Sequence, residues 1–232
     1  MKAYVITLKD NENSQRTANK LKESAPINIE TFWGITPNAV DSVMIKDGLK
    51  WTYPWDKPID DFASGLTLHP YMTAEPKKRI ACFLSHYMLW KMCEESNQPF
   101  FIFEHDAIFI DKSLPVEDLK KSHYHIIGLN HPFKATRRAS VYDQVIREGH
   151  NEDDYGIVRA PKIDDSKVPQ GIAGNSAYFI KPEGAKTMLK LIKEYGCWPN
   201  DALMCRQLIH RLGATKKYYT KVQSAARSTT TL

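Results

Sequence analysis

The 232-residue chain has only four cysteines, Cys82, Cys93, Cys197 and Cys205, and no C-x-x-C pair. That excludes a disulfide framework and fits free, mostly buried thiols in a reducing compartment. No segment approaches the roughly 20 apolar residues of a membrane span. The apolar part of the N-terminal "MKAYVITLKD" is too short for a signal peptide. These absences make a soluble, cytoplasmic protein the expectation. No internal repeat and no linker divides the chain, so residues 1–232 are expected to form one domain. Neither sign of charge is in great excess: 32 Lys and Arg against 27 Asp and Glu give +5. This mild basicity is compatible with a phosphorylated ligand, an anionic membrane face touched peripherally, or DNA, and selects none of them. The short basic clusters, "KKR" at Lys77 to Arg79 among them, read first as solvated surface. No nucleophile elbow surrounds Ser85–His86, and adjacent helical residues do not face each other, which argues against a serine hydrolase.

The order of elements is that of an α/β fold. "AYVITL" reads as a strand, "NENSQRTANKLKES" as a loop and surface helix, and "INIETFWGIT" as a second strand. Residues 37–78 read as long connections with short elements. "RIACFLSHYMLWKMCEE" is apolar on almost every face, as a buried helix is. "PFFIF" is a strand of the kind buried on both faces of a parallel sheet. "YHIIGLN" and "NSAYFI" are further strands. "KPEGAKTMLKLIKEYG" is a helix with Pro182 in its first turn, a stripe of Ala185, Met188, Leu189 and Ile192, and Gly196 as its stop. "PNDALMCRQLIHRLG" predicts another helix, capped by Asn200 or Asp201 and stopped by Gly213. "KKYYTKV" reads as a strand and "QSAARSTTTL" as a polar tail. The charged run 134–169 predicts a mobile loop or lid.

One segment poses a question of chemistry. In "FFIFEHDAIFI", Glu104, His105 and Asp106 interrupt the most hydrophobic stretch of the chain. Ligands of open parallel sheets bind at the carboxyl ends of the strands, where this triplet stands relative to "PFFIF". Oxygen and imidazole donors together suit Mn²⁺ or Mg²⁺. A metal bridging two phosphates would satisfy carboxylates that are costly to bury alone. The plainer reading is a strand that has reached solvent.

At these residues the sequence resembles glycosyltransferase family 25, the lipooligosaccharide and procollagen galactosyltransferase group. "YVITLKDNENSQR" with Arg16 resembles the family's first strand and helix. "ACFLSHYMLW" resembles its cysteine–serine–histidine helix, and "FFIFEHDAIF" its acidic strand-end motif. "AGNSAYFIKPEGAKTML", "WPNDALM" and the tail "QSAARSTT" follow in family order. The chain departs from the family at His105, usually Asp; at Thr7, usually Asn; and at Lys78, Arg79 and Ala81, usually part of Gly-Glu-x-Gly. The resemblance implies a single GT-A type, Rossmann-like domain with a mostly parallel sheet flanked by helices. It also implies inverting transfer of a hexose from a UDP-sugar, assisted by Mn²⁺ or Mg²⁺. The acceptor is a surface glycan, as in lipopolysaccharide biosynthesis, or, given the net charge, a modified base in DNA.

In that reading Asp106 and His105 hold the metal. Thr7, Arg16, Ser85, His86, Glu104, Gly174 and Asn175 serve the donor, and Asp201 is the catalytic base. Asp201 is equally readable as a helix cap, and a helix N-terminus would lower its pKa and weaken it as a base. Asp153 or Asp154 is the fallback base. Trp51, Tyr53 and Trp55 are core aromatics or a sugar-stacking platform. Two other classes remain at this point: a metal-dependent nuclease or phosphatase, and a nucleotide-sugar-binding module without catalysis.

Overall fold

The computed structural model describes residues 1–71, 73–149 and 155–223. The strands are β1 Lys2–Thr7, β2 Glu30–Trp33, β3 Ile59–Asp61, β4 Leu66–Leu68, β5 Phe100–Glu104, β6 Ala107–Phe109, β7 Ile126–Gly128, β8 Ile157–Arg159, β9 Ala177–Ile180, β10 Leu212–Thr215 and β11 Thr220–Val222. The helices are α1 Glu12–Ser24, α2 Val40–Lys46, α3 Pro76–Ser96, α4 Val116–Lys121, α5 Ala139–Glu148, α6 Pro182–Tyr195 and α7 Asn200–Leu203. Seven strands form the central sheet in the order β2-β1-β5-β9-β7-β10-β8. β2, β1 and β5 run parallel, as do β7 and β10; β9 and β8 run the other way. Five of seven strands therefore share one direction, and the expected α/β fold with a mostly parallel sheet is present. Two-stranded ribbons β3–β4 and β6–β11 flank it.

Side chains alternate across each strand, which explains why the central strands are apolar without a break. Tyr4, Ile6, Phe100, Ile102, Tyr178 and Ile180 face one layer with α3 and α6. Ala3, Val5, Phe101, Phe103, Ala177 and Phe179 face the other, where α1 places Ala18 and Leu21. Phe100, Phe101 and Phe103 are fully buried, and each contributes on the order of 2–3 kcal/mol by removal from water. α1 starts where the Asn11 side chain accepts from the Ser14 N–H at 2.8 Å. α3 buries residues on all its faces, as its composition predicts.

Two expectations are corrected. The helix predicted from Asn200 to Gly213 is one turn long, and no side chain caps it. Its apolar residues are buried among several neighbours rather than along one stripe. Gly213 lies inside β10, where a Cβ would come within 2.9 Å of the Tyr124 ring. The run 134–169, read as loop, carries α5 and β8, and β8 pairs with β10 in the central sheet. Tyr142 and Ile146 of α5 are buried. Asp153, Asp154 and the tail after Gln223 lie outside the described residues. All four cysteines are free.

Candidate active site

β1 and β5 are neighbours in register, Ile6 opposite Glu104, so both end at the same edge of the sheet. Glu104 is the last residue of β5. Its side chain continues the face of Phe100 and Ile102 and reaches α3. His105 and Asp106 form the tight turn into β6. β9 runs in the opposite sense, so the residues before it arrive at this same edge. There the Glu104 N–H donates to the Ser176 carbonyl at 2.8 Å. The polar triplet thus interrupts the apolar run because the strand stops at a cavity.

That cavity has a volume of about 1160 Å³. Arg16, Glu104, His105, Asp106, Asn175 and Asp201 all line it, with Ser85, His86 and Gly174 in its walls. Of the sequence-predicted residues, Thr7 does not line it. Its hydroxyl turns back to the Val5 carbonyl at 3.3 Å, and its side chain is buried. Trp51, Tyr53 and Trp55 do not line it either. Trp51 and Trp55 stack on each other, and Tyr53 packs on Trp198 in the core, so the platform reading fails.

Asp106 is the least satisfied acid of the site. It accepts from the Ser176 hydroxyl, while its buried Oδ1 has no partner. Burial, and then the Glu104 charge, push its carboxyl up to about 7. For Glu104, burial is outweighed by the His86 hydrogen bond and by nearby charges, and its pKa falls below the usual value. Both amide atoms of Asn175, which is buried beside the same cavity, are also without partners. His105 completes the set. The Thr17 hydroxyl has two carbonyls within reach, Asn13 at 2.8 Å and Ser14 at 3.1 Å, and one proton to give to them. It therefore accepts from His105 Nδ1 at 3.2 Å, which leaves a lone pair on Nε2. Burial lowers the pKa of this imidazole and favours the neutral form that ligates metals. By donor type an orphaned carboxylate oxygen, a second carboxylate and an imidazole suit a hard divalent cation such as Mn²⁺ or Mg²⁺, but the three residues do not bring their ligand atoms within 4.8 Å of one another.

Among the described residues, the group that does bring its ligand-type atoms within 4.8 Å of one another is Cys82, His86 and Glu104. This cluster fits a cation less well. Burial holds the Cys82 thiol well above its usual pKa, and both nitrogens of His86 already have protein partners. Ser85 is engaged too: its hydroxyl donates to the Ala81 carbonyl and accepts from the Ile35 N–H.

On the α7 side, Asp201 accepts a hydrogen bond from the Tyr71 hydroxyl. The Arg79 guanidinium lies 4.6 Å from the centre of the Tyr71 ring. Burial raises the Asp201 pKa, against the lowering effect of Arg79. That reverses the expectation of a base weakened by a helix N-terminus: α7 is a single turn, and desolvation dominates. Gly171 braces the segment from behind; a Cβ there would come within 3.0 Å of the Asp201 carbonyl and 2.6 Å of the Met204 carbonyl.

Sequence reasoning missed Tyr71, Lys78, Arg79 and Lys134. The "KKR" cluster read as solvated surface, yet Lys78 and Arg79 stand in the cavity wall. Their signal was position, at the first turn of the helix that carries Ser85 and His86.

The family described as "Glycosyltransferase family 25 (LPS biosynthesis protein)" matches residues 1–204. No curated protein matches the chain. Among solved structures, mouse xyloside xylosyltransferase 1 in its apo form is 8% identical, covers 90% of this chain and 81% of its own, and has a TM-score of 0.43. The galactosyltransferase LgtC in complex with donor and acceptor sugar analogs is 10% identical, with 89% and 70% coverage and a TM-score of 0.40. A197 from STIV is 12% identical, with 93% and 83% coverage and a TM-score of 0.38.

Proposed function

Because the chain belongs to glycosyltransferase family 25, we propose that it moves a hexose from a UDP-sugar to a hydroxyl of a surface glycan, with inversion. It is a glycosyltransferase, and the nuclease and binding-module readings are set aside. The modified-DNA acceptor finds no support in a family described by LPS biosynthesis. The observation that carries the proposal is the one cavity in which the strand-end acids and the half-buried Asp201 meet.

Asp106 and His105 Nε2 would hold Mn²⁺ or Mg²⁺, with Glu104 in support. When bound, the cation neutralises the diphosphate. Arg16, Gly174 and Asn175 serve the donor, and Lys134, which lines the same cavity, is taken with them. Arg16 and Lys134 supply positive charge for the phosphates, and the unpartnered Asn175 amide supplies both a donor and an acceptor. Ser85 and His86, whose polar atoms are engaged inside the protein, position the wall rather than touch ligand. Thr7 sits one layer further in.

Asp201 takes the proton of the acceptor hydroxyl as that oxygen forms its bond to the anomeric carbon. The bond from that carbon to the diphosphate oxygen breaks on the opposite face, and the electron pair leaves with UDP. A carboxylate with a raised pKa is the better base for this step. Tyr71 fixes its orientation, and Arg79 keeps it ionised in spite of burial. Asp201→Asn should leave UDP-sugar affinity within about twofold and lower the transfer rate by roughly 10²-fold or more. Normal transfer by the variant in a radiolabelled-sugar assay would remove Asp201 from the chemistry.

A further inference from the structure

Cys82, His86 and Glu104 have the composition of a soft-metal site, and what decides against it lies behind them. The Trp90 Nε1–H donates to the Tyr178 hydroxyl oxygen at 2.9 Å, since an indole nitrogen only donates. The same oxygen is 2.8 Å from His86 Nδ1. Tyr178 is fully buried, and these two groups are its hydroxyl's hydrogen-bond partners. Its own proton must therefore point at Nδ1, which makes Nδ1 an acceptor. His86 is left with its proton on Nε2, 3.1 Å from Glu104 Oε1, and donates it there. Each link runs in one direction: Trp90 to Tyr178, Tyr178 to His86, His86 to Glu104.

We propose that Tyr178, anchored by Trp90, is a positioning residue that locks His86 as the Nε2–H tautomer. In this state His86 holds the Glu104 carboxylate by donating to it, and the Cys82–His86–Glu104 cluster is closed to metal. A cation at Nε2 needs the lone pair that the lock fills with a proton. To free that lone pair, Nδ1 would have to take the proton, and the Tyr178 hydroxyl would lose its acceptor, because its other partner, Trp90 Nε1–H, only donates. His105, which directly follows Glu104, is set the opposite way by Thr17, with its Nε2 lone pair open. The two imidazoles are thereby sorted, one as a donor to Glu104 and one as a ligand. The use of Glu104 beside a metal rests on the proposed function; the lock itself does not.

The test uses the ligand-free full chain with nitrogen-15 in its histidines. Long-range proton–nitrogen correlation spectra read the tautomer, and the spectrum of His86→Gln identifies the His86 signals. The wild type should show Nε2 protonated and Nδ1 bare. Tyr178→Phe keeps the ring and removes the lock, and it should give a mixture of tautomers. In parallel, Cd²⁺ is added while thiolate–metal absorption in the ultraviolet is followed. The wild type should show no band that Cys82→Ser removes. Tyr178→Phe should gain such a band and lose it again in the double variant with Cys82→Ser.

A wild-type His86 that is protonated on Nδ1, or on both nitrogens, overturns the proposal. So does a Cys82-dependent Cd²⁺ band in the wild type, or a Tyr178→Phe protein that still shows only the Nε2–H form. If Tyr178→Phe does not fold, the wild-type spectrum and Cd²⁺ titration decide alone. Loss of the sugar-transfer reading in assays, with the tautomer as expected, would leave the lock standing.

Discussion

Asp106 and Glu104 are two acids that repel each other at one edge of the sheet, and Asp106 bears the cost. Replacing Asp106 by Asn removes both the repulsion and the charge that would hold a cation. The variant should lose Mn²⁺-dependent UDP binding in calorimetry, while its metal-free melting temperature stays level or rises slightly. A variant that melts much earlier would mean that Asp106 is structural. A second acid, Asp47 at the end of α2, behaves in the opposite way. Lys91 Nζ and the Tyr87 hydroxyl both donate to it at 2.9 Å, and the Lys91 bond above all holds its pKa below the usual value. A carboxyl depressed in the folded state adds stability above its ordinary pKa and loses it as the pH falls through the folded value. Asp47→Asn should therefore cost about 1 kcal/mol or less at neutral pH. The gap in melting temperature from the wild type should close between about pH 5 and about pH 2.

At the scale of elements, what was legible in the sequence was whatever one strand or helix decides by itself. "FFIF" announces a doubly buried strand, and the acids after it announce the strand's end. Pro182 and Gly196 bracket α6, and in the structure they sit at its first position and just past its last. What was not legible depends on partners far away in the chain. Tyr178 meets Trp90 across 88 residues and His86 across 92, so no local pattern could show the chain that ends on Glu104. Residues 200–213 misled for a related reason. Ala202, Leu203, Met204, Cys205 and Ile209 are apolar at near-helical intervals, but they are buried on several sides. Periodicity reports burial, and burial on every side carries no period. The short α7 has the backbone hydrogen bonds of a single turn, Leu203 N–H to the Pro199 carbonyl and Met204 N–H to the Asn200 carbonyl, both at 2.9 Å, and its neighbours hold that turn in place. Gly171→Ala would press a methyl group on the Met204 and Asp201 carbonyls. It should cost about 2 kcal/mol in chemical denaturation and lower turnover more than donor affinity, because Asp201 moves with its backbone.

Across the whole molecule, the cavity mouth is where closure is to be sought. Lys134 has a left-handed φ of 66°, and Ala135 lies against Gly174, where a Cβ would come within 2.8 Å of it. The charged segment is therefore not uniform: α5 and β8 carry buried side chains, while Lys134 and Ala135 line the cavity. Hydrogen exchange should slow in 131–138 when UDP-sugar and Mn²⁺ are added, with little change in α5 and β8. Unchanged exchange in 131–138 would reject a lid there. No helix among the described residues is long and apolar enough to cross a membrane.

The antiparallel course of β9 has one more consequence, and it concerns the order of synthesis. The cavity joins the ends of β1 and β5 to the start of β9 and to α7. Gln223 then closes the rear by donating to the Thr17 carbonyl, 206 positions earlier in the chain. A growing polypeptide thus carries Asp106 for a long time before its partner Ser176 and the walls that bury it exist, whereas His86, the partner of Glu104, is already made. Until β9 and α7 emerge, Asp106 should face water as an ordinary carboxylate. Its altered acidity belongs to the finished chain, so a ribosome-bound fragment ending before Ala177 should fold in part and bind no nucleotide.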